Sequence, residues 1–469
     1  MEMTFHRASR YTLALTLVAL TSMPAASHAQ AFGLNEIGTC ALARGFATTS
    51  KPCDDASSIY WNPGAMPQRP GLSFYGGVSA IKLDGEFTQD TTHRSYPSNV
   101  STAYVPHAFL TWRGDGKMAL GLGVFVPYGL TSQWNEDFPG RFSALKVSLK
   151  TIYIQPNVSY QVNDRWSVGG GPVFGHSSVE LIQGLDLSTV ATSAGGPTFG
   201  QLGIPKRTEF GRASLTGSAN AVGLNLGVHG QLSRDWEMGA RFLSQLTFNY
   251  SDADATFTPI KTGLTLAANN PLNFPAGTPV DALVAPQFAA GGALVAQKVQ
   301  TEIQHPAQVQ VGFAYTGYER STLSVDYSYV GWQSFRALPV NFQGPAAGNS
   351  KVLQEDYNNT SGIRIGAEHR MLNGTSLRAG MSANTSAAPA ETVTPLLPEQ
   401  DRALGMVGFG YPMGRFALDA AYSHIFTGGA RGRIDERTPG MTSAQALALN
   451  SGFYSLTANI FALSLKANF

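Results

Sequence analysis

The chain has 469 residues, of which only 13% are charged, and its net charge is +1. Soluble domains carry roughly 25% charged residues, so a chain this long either hides a large core or turns an apolar surface toward lipid. A net charge near zero offers no basic field for nucleic acid, and 51 glycines with 10% aromatics suit strands and turns better than long helices.

The first segment reads as an export signal. His6, Arg7 and Arg10 precede the apolar run Tyr11 to Leu20, Pro24 breaks it, and Ser27-His28-Ala29 supplies a small-x-small cleavage site. Residues 1–29 are therefore expected to be removed. The apolar run is about ten residues, too short for a membrane span that needs roughly twenty.

Residues 30–70 do not alternate in polarity, and about forty residues is long for a connecting leader. Phe32, Ile37, Phe46, Ile59, Tyr60 and Trp61 are poor choices for a disordered tail. A plug folded against something larger fits better. The 2 cysteines, Cys40 and Cys53, lie within it. An even pair in an oxidising compartment is favoured as a disulfide over two free thiols. No CxxC and no nearby histidine supports a metal site, and no cofactor motif is present.

Residues 71–469 alternate with period two. Leu323, Val325, Tyr327 and Tyr329 are interleaved with Ser324, Asp326 and Ser328; Ile363, Ile365 and Ala367 with Arg364, Gly366 and Glu368. Charges on one face of a strand and apolar groups on the other suit a polar lumen inside a lipid-facing wall. Short, turn-rich joints occur at residues 113–116, 163–164, 233–235, 317–320, 372–374 and 412–414. Longer irregular stretches lie near 88–100, 131–145, 186–207, 259–295, 334–349, 385–400 and 428–450. They alternate along the chain, beginning and ending with a long one. This predicts an all-β transmembrane antiparallel barrel of about 14 strands, with both ends on the short-turn side. Its place is then the bacterial outer membrane, with outer-membrane lipid around it.

Three stretches stand out in this region. The third predicted strand, Lys117 to Leu130, carries Gly121, Gly123, Pro127 and Gly129; proline removes a ladder donor and glycine permits bulges. It either breaks the wall or simply ends at Pro127. The longest loop, Thr262 to Val299, is unusually apolar, with Leu264, Leu266, Phe274 and Phe288. Exposed apolar patches mark binding sites, so these residues are candidates for first capture of an apolar ligand. The last strand alternates through Phe461, Leu463, Leu465 and Ala467 to a terminal Phe469, an ending similar to the signal read by the barrel assembly machinery.

Leu34-Asn35-Glu36, Ala43-Arg44-Gly45, Asp54-Asp55-Ala56-Ser57 and Tyr60-Trp61-Asn62-Pro63 resemble the N-terminal hatch of the FadL/TodX family. That family consists of outer-membrane transporters for long-chain fatty acids and aromatic hydrocarbons. The similarity continues in order through Pro127-Tyr128-Gly129-Leu130, Trp134, Ile154-Gln155-Pro156, His305-Pro306, Trp332 and Pro398-Glu399-Gln400-Asp401-Arg402. Asn62-Pro63 is followed by Gly64 where the family usually has alanine, and the cysteine pair is not a family-wide feature. The resemblance implies a hatch in the lumen, with Asn35, Glu36, Asp54, Asp55, Asn62 and Pro63 as its marker positions. It also implies passive transport of a hydrophobic small molecule, with exit sideways through a gap beside the third strand. If the ligand is a fatty acid, Arg141 and Lys146 are candidate partners for its carboxylate. A general porin for hydrophilic solutes is the alternative, which the long aromatic plug argues against. An enzyme is not expected: there is no G-x-S-x-G, and Ser423 and His424 point to opposite faces of their strand.

Overall fold

The computed structural model describes residues 31–469 except 69, 194, 269, 271, 272, 438 and 439; the expected signal peptide lies outside the described residues. The chain forms a closed antiparallel barrel of 14 strands. The first six are β1 (Gly71–Gln89), β2 (Ala103–Arg113), β3 (Met118–Gln133), β4 (Lys146–Gln161), β5 (Trp166–Asp186) and β6 (Glu209–Gln231). β7 is interrupted, running Trp236–Leu243 and then Leu246–Pro259; β8 likewise runs Gln297–His305 and Gln308–Tyr318. Pro306 sits in that second break, where a residue without an N–H costs the ladder least. The remaining strands are β9 (Ser321–Val330), β10 (Thr360–Arg370), β11 (Ser376–Asn384), β12 (Arg402–Met413), β13 (Phe416–Thr427) and β14 (Gly452–Asn468). β14 closes the ring on β1 from Ser73↔Asn468 to Gln89↔Gly452, so the first and last strands cover the edges that would otherwise attract another chain.

The two faces of each strand differ as the alternation predicts. On β6, Val222, Leu224, Leu226 and Val228 are exposed, while Asn225 and His229 are buried in the lumen. On β9, Leu323, Val325, Tyr327 and Tyr329 face outward and Ser324, Asp326 and Ser328 are buried. β6 has 23 residues, about twice what a tilted strand needs to cross a bilayer. Its exposed apolar run lies at the short-turn end, so the excess length stands on the long-loop side and carries the outer loops.

The N-terminal segment fills the barrel. α1 (Thr39–Ala43) and α2 (Ser58–Trp61) are single turns without side-chain N-caps, far too short to persist alone. Burial holds them: Ile37, Leu42, Phe46, Ile59 and Trp61 are all at most 1% exposed. Cys40 and Cys53 are joined as a disulfide with 6.2 Å between their Cα atoms. The wall is shaped to admit this plug. A side chain at Gly366 or Gly380 would collide with the backbone around Arg44 and Gly45.

Candidate functional site

Every charge buried in the lumen needs a partner, and many of those partners are in the hatch. Asp326 on β9 accepts from Thr49 N at 2.7 Å, and Arg44 donates to Ser324 Oγ at 2.9 Å. Lys51 pairs with Glu237 at 2.7 Å, and Lys466 with Asp54 at 3.5 Å. Arg241 stacks over Tyr60 at 4.1 Å, and Arg364 lies over Trp61 at 5.5 Å while donating to Asn35 Oδ1 at 3.2 Å. Asn62 donates to Thr49 O at 2.7 Å and to Val228 O at 2.9 Å, and Pro63 packs against Gly227. Glu36 is buried, which pushes its carboxyl up against the pull of Arg402 and Arg364. Asp55 is raised to about 6, chiefly by burial and opposed by its bond to Ser57. Asn35, Asp54, Asp55 and Asn62 thus hold the plug to itself or to the wall through side-chain bonds or ion pairs; Glu36 does so through its carbonyl oxygen, which accepts from Ser79 Oγ at 3.2 Å, and Pro63 by packing.

The wall is broken at β3. β2 and β3 pair from Arg113↔Ala119 only as far as His107↔Phe125, although β2 continues to pair with β1 up to Ala103. Against β4 the register shifts between Phe125↔Tyr153 and Tyr128↔Thr151, so β3 carries one extra residue there. Such a bulge bends its strand, and Pro127, with no N–H to give, sits in it. The backbone released from β2 is taken up by residues 32–34. Leu34 N donates to Pro127 O at 2.8 Å and Gly129 N to Phe32 O at 2.9 Å. Of the four positions marked on this strand, Pro127 and Gly129 form the break; Gly121 and Gly123 lie below it, packed against Ile59 of the hatch.

Two cavities meet at this point. The inner one, about 100 Å³, is lined by Phe32, Leu130, Val147, Leu149, Leu338 and Val340 among others. The second, about 150 Å³, lies along the break between Gly129–Ser132 and the loop residues Leu397–Gln400. Leu130 and Leu397 border both, and the segment Phe32–Leu34 stands between them. Phe32 is 3% exposed and its ring is caged by Tyr128 at 6.0 Å, His305 at 5.8 Å, Trp332 at 4.7 Å and Phe335 at 5.3 Å. Arg402 donates to Ala31 O at 3.1 Å, and Glu399 accepts from Ala31 N and, at 2.7 Å, from Ala388 N. Burial raises the Glu399 carboxyl, opposed by Arg402.

A third, larger cavity of about 460 Å³ opens among the outer loops, lined by Leu185, Val190, Phe210, Phe257, Leu294 and Phe342 among others. The loop residues proposed for capture sit beside it rather than in it. Leu266 belongs to a small core with Leu187, Phe199, Phe210 and Val284, against which Leu264 and Phe288 pack; Phe274 is exposed. The long loop reaches the groove through Gln287, Ala293 and Leu294 instead. Arg141 pairs with Glu209 at 2.8 Å and Lys146 with Glu180 at 2.7 Å; neither lines a cavity described above. On the opposite side of the hatch, a polar vestibule of about 570 Å³ is lined by Arg44, Lys51, Asp54, Arg320 and Glu368.

A family profile described as outer membrane protein transport protein (OMPP1/FadL/TodX) matches residues 18–469. The chain belongs to this family. It is an outer-membrane transport protein and not an enzyme. Its relatives include the 47 kDa outer membrane protein of Pasteurella multocida, 24% identical over 89% of this chain and 92% of that one. A long-chain fatty acid transport protein of Escherichia coli is 24% identical over 88% of this chain and 91% of its own. Among solved structures, a Pseudomonas aeruginosa FadL homologue superposes with a TM-score of 0.77 at 20% identity, covering 94% of this chain and 100% of its own. The Ralstonia pickettii toluene transporter TbuX gives 0.63 at 20% identity, covering 94% and 99%.

Phe32, Phe335 and Leu338 were not among the expected site residues. Phe32 carried a signal, an aromatic at the start of a segment otherwise small and polar. Phe335 and Leu338 carried none: Phe335 follows a single 3-10 turn and Leu338 lies on a short hairpin strand, Ala337–Phe342, whose inward course only the fold reveals.

Proposed function

We propose that this protein carries apolar small molecules across the outer membrane without an energy source. Ligand is captured in the outer-loop groove, passes to the inner cavity, and leaves sideways through the break at β3 when the Phe32 segment yields. The observation that carries this reading is the order of the cavities. Apolar chambers lead from the outer loops to a break in the lipid-facing wall, while the polar, densely bonded hatch blocks the direct route to the periplasm. The direction has a physical reason. An apolar ligand gains roughly 25 cal/mol for each Å² kept from water, so entering the bilayer is downhill compared with release into an aqueous space. The E. coli relative named for long-chain fatty acids and the R. pickettii structure named for toluene support the class of cargo.

The test is uptake of radiolabelled toluene, oleate and a small sugar by cells that lack their own transporter and express this chain. Uptake of an apolar compound without the sugar is expected. Entry of the sugar alone would replace this reading with that of a general porin.

A further inference from the structure

We infer that the inner cavity selects uncharged ligands of about single-ring size and excludes carboxylates; the inference rests on the transport reading above and narrows its cargo. No lysine, arginine or histidine is among the residues that line this cavity. Its one ionisable residue is an acid, Glu180, which is held by Lys146 at 2.7 Å. A carboxylate placed there would lose its hydration beside a residue of its own sign, and the nearby cation, Lys146, is already paired with Glu180.

The lumen does contain cations, and its bonding keeps them away from the cavity. Phe32 lines the cavity, and its ring packs on Tyr128. Tyr128 Oη accepts from Gln308 Nε2 at 2.8 Å, and Gln308 Oε1 accepts from Arg241 at 3.2 Å. Arg241 therefore stands behind an aromatic side chain and an amide, with its other contacts on Asn225 and the Tyr60 ring. Arg364 is drawn to Asn35 and Trp61, and Arg44 to Ser324, both on the hatch side. Arg402, nearest the break, donates to Ala31 O and lies beside Glu399 and Glu36. The outer groove, by contrast, includes both Lys351 and Asp186, so discrimination by charge falls to the inner step.

Size and the remaining polarity agree with this. The volume of about 100 Å³ is of the order of the ~150 Å³ cavity known to hold benzene. Thr301 Oγ1 is buried without a hydrogen-bond partner and borders the cavity. It can bond one uncharged acceptor, such as an ester or ketone, but it cannot neutralise an anion.

Matched pairs separate charge from size: toluene against benzoate, with methyl benzoate as the neutral ester, each in uptake assays at pH 7.5 by cells that lack their own transporter and express the full-length protein. Toluene and methyl benzoate are expected to enter at least tenfold faster than benzoate, after subtraction of uptake by cells without the protein. Thr301→Lys, which brings an ammonium group to the cavity wall, is expected to raise benzoate uptake several-fold and lower that of toluene. Should that variant fail to fold, competition settles the question in the unaltered protein: methyl benzoate slows toluene uptake and benzoate does not. Benzoate entering or competing as well as its ester overturns this inference and leaves the transport reading intact. Exclusion of all three compounds while a small sugar passes overturns both.

Discussion

Phe32→Ala tests the part assigned to the segment 31–34. The phenyl group is buried to 3% exposure inside a cage of four rings. Truncating a core phenylalanine costs about 3–5 kcal/mol. Here the loss falls on the docking of residues 31–34, because Phe32 belongs to no strand of the barrel ladder. What remains to hold the segment is the pair of backbone bonds to Pro127 and Gly129 and the clasp of Ala31 by Arg402 and Glu399. Taking about 3 kcal/mol, at 1.4 kcal/mol for each factor of ten, the undocked fraction rises about 100-fold. If undocking limits exit, toluene uptake by cells that lack their own transporter and express the variant rises by up to that factor, while the thermal unfolding of the barrel hardly moves. Hydrogen exchange at the amides of Leu34 and Gly129 reports the release independently. Fast exchange at both amides with unchanged uptake would refute the assignment of Phe32 as the barrier between the two cavities.

Three further outcomes are expected. Replacing Cys40 and Cys53 together by serine opens a loop with a sequence separation of 13, worth about 3 kcal/mol. That loop carries Arg44, Thr49 and Lys51, so the double variant should leak ions in planar-bilayer conductance while the barrel stays heat-resistant on gels. Asp55, raised to about 6 mainly by burial, binds a proton more tightly in the folded hatch than in the unfolded chain. Its contribution therefore turns unfavourable as pH rises from the ordinary aspartate range through about 6. Asp55→Asn should match the unaltered protein's melting temperature at pH 3.5 and exceed it at pH 7.5. Phe469 exchanges both backbone bonds with Leu72, at 2.8 and 3.1 Å, and ends the strand proposed to be read during assembly. Its deletion should lower the amount of folded protein in outer-membrane fractions, measured by the heat-modifiable gel band.

Much of the barrel was legible because each strand carries its own evidence. In Leu323 to Tyr329 or Phe461 to Phe469 the polarity alternates residue by residue, and the contrast between tight turns and long loops orders the strands without tertiary information. The interruptions were less visible. Pro127 marked a weak point in β3, but the unpairing from β2 depends on where Phe32–Leu34 docks, a contact far away in sequence. The break in β7 at Ser244-Gln245 had no signal comparable to Pro306 in β8. The cavities were the least legible part. Each wall strand contributes up to three residues, among them Leu130, Val147, Leu181 and Val299, and none is unusual in its own strand. The apolar loop at 262–299 was ambiguous for a related reason. Hydrophobicity does not say whether a segment packs on its neighbours or stays open, and here Leu266 is buried against Leu187 and Phe199 while Phe274 is exposed.

The central claim is sideways exit at β3, and removing the extra residue tests it most directly. Deleting Val126 restores even register with β4 between Phe125↔Tyr153 and Tyr128↔Thr151 and lets β3 stay alongside β2. With the variant's folding in the outer membrane confirmed by its heat-modifiability, toluene uptake by cells expressing it should fall to the level of cells without the protein. Uptake at the unaltered rate through a wall so repaired would contradict the account, and would place the exit through the hatch.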